Sequence, residues 1–101
     1  MNKQIAEKLG WETYNWSDWK DSDGNIIKQH KADFTHSLDA CVKYIVPDME
    51  KKGFRLTLRQ LPDGTWDALW DSDMPEYEDT TGFMGNDKKP EMAVCKAFME
   101  V

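Results

Sequence analysis

The 101 residues hold few cysteines, prolines and glycines, with two, four and six respectively. Numbers this low exclude a disulfide-stapled scaffold, a collagen-like chain and a proline-glycine-rich linker. Cys41 and Cys95 lie far apart and match no Cys-x-x-Cys metal or redox spacing. Each stands in a run that reads as helix, beside Val42 and Val94, so two buried, reduced thiols are expected. Bases are also scarce, thirteen against nineteen acids for a formal charge of -6. That balance argues against nucleic-acid binding through a broad basic surface, because phosphate neutralisation needs clustered Lys and Arg. No apolar run approaches the length of a membrane span, and Met1-Asn2-Lys3-Gln4 does not lead into a signal-peptide core, so a cytoplasmic protein is expected. Finally, no G-x-S-x-G, P-loop, H-E-x-x-H or paired-glycine dinucleotide motif is present. No catalytic residue, no metal ligand and no cofactor are expected, and the chain does not read as an enzyme.

What the chain does have is large rings: five Trp, four Phe and three Tyr. Mean hydropathy is -0.77, a value that would suit disorder, but disordered chains lack such rings. One domain spanning 1–101 is expected, burying roughly two thirds of its unfolded surface. Ile5, Ala6 and Leu9 predict a short first helix, capped by Asn2 and closed by Gly10. From Trp11 to Lys31 aromatic and polar residues surround Asp23-Gly24, a strong turn signal, which predicts a hairpin from Glu12 to Lys20 returning through Asn25 to Gln29. Leu38, Cys41, Val42, Ile45 and Met49 make one apolar stripe, so a second helix is predicted from a cap near Thr35 to Gly53, kinked or restarted at Pro47.

The hairpin from Phe54 to Asp71 has a register that can be tested from the sequence. A three-residue loop, Pro62-Asp63-Gly64, pairs Leu61 with Thr65. Counting inward, Arg59 then faces Asp67, Thr57 faces Leu69 and Arg55 faces Asp71, while Phe54, Leu56, Leu58, Trp66, Ala68 and Trp70 share the other face. A loop one residue longer or shorter would separate the two polar sets. Beyond it, Glu76 to Phe83 reads as an edge strand, Gly82 to Asn86 as loop, and Pro90 to Val101 as a closing helix with Val94, Ala97, Phe98 and Val101 as its stripe. The order α-ββ-α-ββ(β)-α predicts an α+β fold, an antiparallel sheet with helices packed on it in layers, an α/β/α-type sandwich.

Three segments, Ala6 to Trp11 (AEKLGW), Asp33 to Leu58 (DFTHSLDACVKYIVPDMEKKGFRLTL) and Pro90 to Val101 (PEMAVCKAFMEV), together resemble the phage ABA sandwich domain family. These are small proteins of phages and prophages. Gly10-Trp11, Phe34-Thr35-His36-Ser37 and Ala93-Val94-Cys95-Lys96-Ala97 stand where that family has a Gly-Trp helix end, a capping motif and a closing helix. His36, Ser37 and Pro47 depart from its pattern, and Trp16 to Lys31 matches nothing in it. The resemblance implies a layered helix-sheet fold and an accessory role in a host bacterial cytoplasm, with no activity attached to particular residues.

Candidate contact residues follow from chemistry. Thr35, His36 and Ser37 set hydroxyls and an imidazole at a helix start, where an anion is favoured. With Trp16, Trp19, Arg55 and Arg59 they could stack and neutralise a small phosphorylated ligand. Capping alone also explains Thr35. Trp16 and Trp19 either roof the sheet or form an aromatic contact surface. Asp73, Glu76 and Glu78 belong to an acidic run, Asp71 to Asp79, that either is a solvated loop or imitates a phosphate backbone toward a host protein. Asp21 to Asn25 fails the EF-hand pattern, since position twelve would be His30, and reads as a hairpin turn. His30 and His36 lack a third firmly placed ligand and are expected on the surface. The expectation is a non-catalytic protein that binds a host macromolecule, with a nucleotide-sequestering protein as the alternative, and a homodimer through the edge near Glu76 to Phe83 or an uncovered Trp as a further partner.

Overall fold

The computed structural model describes residues 1–72 and 83–101. In chain order these residues form α1 (Asn2–Lys8), β1 (Glu12–Asn15), β2 (Asp18–Lys20), β3 (Ile26–Lys28), a 3-10 turn (Gln29–Ala32), α2 (Leu38–Ala40), a π-helical stretch (Cys41–Ile45), α3 (Val46–Lys51), β4 (Phe54–Gln60), β5 (Trp66–Ser72), β6 (Phe83–Asp87) and α4 (Pro90–Met99). The fold is α+β with two antiparallel three-stranded sheets, ordered β1-β2-β3 and β4-β5-β6. No helix among the described residues is long and apolar enough to cross a membrane.

The second sheet follows from its sequence most directly. Arg55 pairs with Asp71, Thr57 with Leu69 and Arg59 with Asp67, the expected register. At its turn the Leu61 amide donates to the Thr65 carbonyl over 2.8 Å, and Asp63 Oδ1 accepts from the Thr65 amide and hydroxyl. Gly64 sits at φ 87°, the left-handed conformation this turn requires and other residues resist. Alanine and tryptophan alternate inward on β5, with Ala68 and Trp70 both fully buried.

β6 corrects the expectation of loop from Gly82 to Asn86. Gly85, expected in that loop, pairs with Ala68 on the helix-covered face. A Cβ there would stand 2.3 Å from the Ala93 carbonyl oxygen and 2.5 Å from the Ala97 amide. Glycine is needed so that α4 can lie directly on the strand, which is a packing reason rather than a turn. The remainder of the strand expected from Glu76 lies outside the described residues.

Two caps also differ from expectation. Met1, not Asn2, is the N-cap of α1, and the Asn2 side chain reaches instead to Asp33 (2.8 Å) and to the Thr35 amide (3.2 Å). Ser37, not Thr35, caps the second helical run, its Oγ accepting from the Ala40 amide over 3.1 Å. Thr35 is held in a turn before that cap, so its hydroxyl is spent on Asp33 rather than on the helix.

Pro47 is accommodated by a change of helix type. The Val46 amide reaches back five residues to the Cys41 carbonyl, a π-type bond, and α3 then starts with Pro47 in its first turn, where its missing N–H costs nothing. The wider turn also sets which residues face the core. Rows at i, i+4 drift about 40° per step on an ordinary α-helix, whereas here Cys41, Ile45 and Met49 all stay fully buried. Val42, expected in the same stripe, is turned out and 52% exposed.

In the first sheet the predicted hairpin becomes three strands. Asn15 Oδ1 accepts from the Ser17 amide and hydroxyl, closing a tight turn between β1 and β2, and Gly24 lies in the expected second turn. Trp19 and Ile27, paired across β2 and β3, face inward. Trp11, Phe34 and Tyr44 interlock as a ring cluster, the Trp11–Tyr44 pair edge-to-face at 5.0 Å. One core unites these elements with α1 and α4.

Candidate docking groove

Antiparallel pairing sends both backbone polar groups of each residue to the same neighbour and alternates sides along the strand. With Leu61 bonded to Thr65, the residues Thr57 and Arg59 turn their amides and carbonyls to β5, and Leu56 and Leu58 turn theirs away from it. β4 is the outermost strand of its sheet. Its outer edge therefore carries the backbone groups of Leu56 and Leu58 with no strand beside them among the described residues.

Under this edge runs a groove of about 690 Å³, lined by Val42, Val46, Glu50, Gly53, Phe54, Arg55 and Leu56. Val42, Val46 and Glu50 recur every four residues and form its helical wall; Phe54 and Leu56, inward-facing on β4, form its sheet wall. The groove is the gap left where the sheet ends before it has covered the outer side of the helix. Periodicity puts Val42 on an apolar stripe and Leu56 on an apolar sheet face, but it does not record whether the opposing layer extends over them.

The opposite face of the sheet carries Arg55, Thr57, Arg59, Asp67, Leu69, Asp71, Met84 and Asn86. Asp67 anchors a polar row there: Arg59 Nη2 lies 3.3 Å from Oδ2, and Asn86 Nδ2 donates to Oδ1 over 2.7 Å.

The other expected contact residues do not converge. Trp16 is 92% exposed at the β1–β2 turn, but Trp19 is 6% exposed and belongs to the core, so the two rings form no common surface. Trp19 alternates inward between Asp18 and Lys20 on β2, whereas Trp16 stands in the turn before that strand. Thr35 and His36 are bound into a local network. Asp33 Oδ1 accepts from Asn2 and Thr35 and lies 3.0 Å from His36 Nδ1. The Asn2 amide, then His36 and Thr35, hold the Asp33 carboxyl below the usual carboxylate range. A carboxylate so placed, with Asp39 in the first helical turn, opposes an anion at this helix start. Thr35 Oγ1 also lies 3.1 Å from the same Nδ1, so hydroxyl and carboxylate meet one ring nitrogen. A proton relay needs them on opposite nitrogens. Arg59 is held by Asp67 across the hairpin, a different set of partners from those of Thr35 and His36. Asp73, Glu76 and Glu78 lie outside the described residues.

Asp21 is consumed by its own turn: Oδ1 accepts from the Asn25 and Asp23 amides at 2.8 and 3.0 Å, as a hairpin turn requires. Among the described residues no group of three metal-ligating side chains occurs. The cysteines are free and fully buried, with Sγ atoms 3.9 Å apart. Hydrogen bonding to Cys95, then burial, pushes the Cys41 thiol strongly up, so it stays protonated and unreactive. Comparison of the chain with protein-family models, with curated proteins and with solved structures found no match.

Proposed function

We propose that this chain is a non-catalytic binding module that takes a segment of a host protein into the β4 groove. The observation that carries the reading is the joint presence of an outer strand whose Leu56 and Leu58 backbone groups have no strand beside them among the described residues and a groove at that edge lined in part by Val42, Val46, Phe54 and Leu56, which together offer backbone hydrogen bonds and side-chain burial to one extended or helical segment. Trp16, exposed at the tip of the first sheet, is a second apolar group available to a partner. The protonated, buried Cys41 thiol and the single-nitrogen His36 network favour binding over chemistry. The resemblance to the phage ABA sandwich family, carried by residues of helix ends and core, supports an accessory role for a phage or prophage in a host cytoplasm.

The test is capture from bacterial lysate at moderate salt by the intact chain and by Val42→Glu. Val42 is an exposed groove residue, so the substitution leaves the core untouched. One stoichiometric protein is expected with the parent and none with the variant. Capture that Val42→Glu leaves unchanged, or repeated absence of any partner, would remove the reading.

A further inference from the structure

Resting on the docking reading above, we infer that the occupant of the groove is an extended segment alternating apolar and acidic residues, added to β4 as a fourth, antiparallel strand. The backbone groups of Leu56 and Leu58 set the hydrogen-bonding pattern: both residues point their side chains inward, so an antiparallel segment pairs its own inward residues with them. One strand spacing farther out, about 4.8 Å, those inward residues lie over the helical wall of Val42 and Val46 and must be apolar to be buried there. The outward residues of the same segment stand opposite Arg55, Thr57 and Arg59 on the other face. Directly opposed charges of unlike sign stabilise a strand pair and like charges destabilise it. Two arginines at alternate positions of the edge strand therefore select acids, and they already face Asp67 and Asp71 on the β5 side, so an acidic strand repeats on one side of β4 the charge pattern present on the other.

The same arithmetic opposes a second copy in full-length self-pairing. Centred on Thr57, β4 against its own copy would set Arg55 opposite Arg59 twice, in both cases like against like. A helical occupant would fill the groove but leave the edge amides unpaired.

The probe is a synthetic peptide of alternating Val and Glu, eight residues long, with a Val-Lys peptide of the same length as its counterpart. The Val-Glu peptide is expected to bind at least tenfold more tightly to the intact chain, and Val42→Glu is expected to weaken it at least tenfold. Two N-methylated forms then separate strand addition from mere apolar binding without altering the protein. Methylation of the Val nitrogens, which face β4 in the antiparallel register, abolishes binding; methylation of the Glu nitrogens, which face outward, leaves it within about threefold. Equal binding of both forms, equal binding of the Val-Lys peptide, or loss with the Glu-methylated form alone would each overturn the inference. So would a native mass showing a dimer in which the Leu56 and Leu58 amides are protected, since a second copy would then hold the edge. Failure of the peptide with capture from lysate still sensitive to Val42→Glu would refute the strand but leave the groove as the docking site; failure of both would refute the site itself.

Discussion

The two outer strands of the second sheet end in opposite ways. At β6 a helix is packed directly on the strand. α4 lies on Gly85, and Lys96 reaches round to take the Asn86 carbonyl at 3.3 Å and Asp87 Oδ2 at 2.7 Å. At β4 the helical segment stands off and leaves a groove of about 690 Å³. Unpaired edges invite further strands, and proteins cover or charge those that have no use. Direct helix packing on β6 and a groove beside β4 thus set the two outer strands apart, and a strand added at β4 would meet Val42 and Val46.

The largest expected effect comes from forcing α4 off β6. Gly85→Ala would place its Cβ within 2.3 Å of backbone that has no side-chain freedom with which to yield. Destabilisation of about 3 kcal/mol is expected, which for a domain of this size lowers the melting temperature by roughly 12 to 24 °C. Gly64→Ala serves as the contrast. It meets nothing within 4 Å and suffers only left-handed strain, about 1 to 2 kcal/mol. Thermal denaturation followed by circular dichroism ranks the two, and equal losses would show that α4 does not bear on β6 as described.

Next in size is a difference within β4 itself. The Thr57 and Arg59 amides donate into the sheet, whereas those of Leu56 and Leu58 face the open edge. Hydrogen exchange read by NMR should find the inner pair slower by roughly 100-fold or more, equivalent to an opening free energy of about 3 kcal/mol. Comparable protection at all four would mean that the edge is covered.

How far these features could be read in advance depended on whether the deciding contact was local. The hairpin register was legible because turn chemistry and cross-strand charges are neighbours in the chain, and Arg59 does meet Asp67. The apolar stripe of the second helical run was legible too, apart from Val42, whose exposure results from a π turn that only Pro47 hinted at. Gly85 was misread because the reason for a glycine there is α4, whose first turn begins five residues later and whose contact is tertiary. The groove was not legible at all. It depends on which strand ends the sheet and how far the sheet extends over the helix, and no residue type encodes an absence of cover. Trp16 and Trp19 were indistinguishable as sequence and prove opposite in burial, because Trp16 stands in the turn before β2 and Trp19 alternates inward on that strand.

The smallest expected effect lies in the clasp of Lys96 on β6. Lys96, and after it the Lys89 amide, hold the Asp87 carboxyl below the usual carboxylate range. The folded state therefore binds the Asp87 proton less tightly than the unfolded chain does. The corresponding stability is complete above the ordinary carboxylate value of about 4 and is lost as pH falls through the lower folded value. Lys96 is 43% exposed and its ammonium is screened by solvent, so the pair contributes at most about 1 kcal/mol. Asp21, Asp33 and Asp63 are depressed in the same direction, so the acid limb of the parent alone would not isolate this pair. The difference between the parent and Lys96→Met does isolate it. Urea denaturation at neutral pH should show the variant less stable by a few tenths of a kcal/mol up to about 1, with the gap closing as Asp87 protonates in the acid range. A gap that persists unchanged in acid would assign the loss to the Lys96 bond to the Asn86 carbonyl rather than to the ion pair.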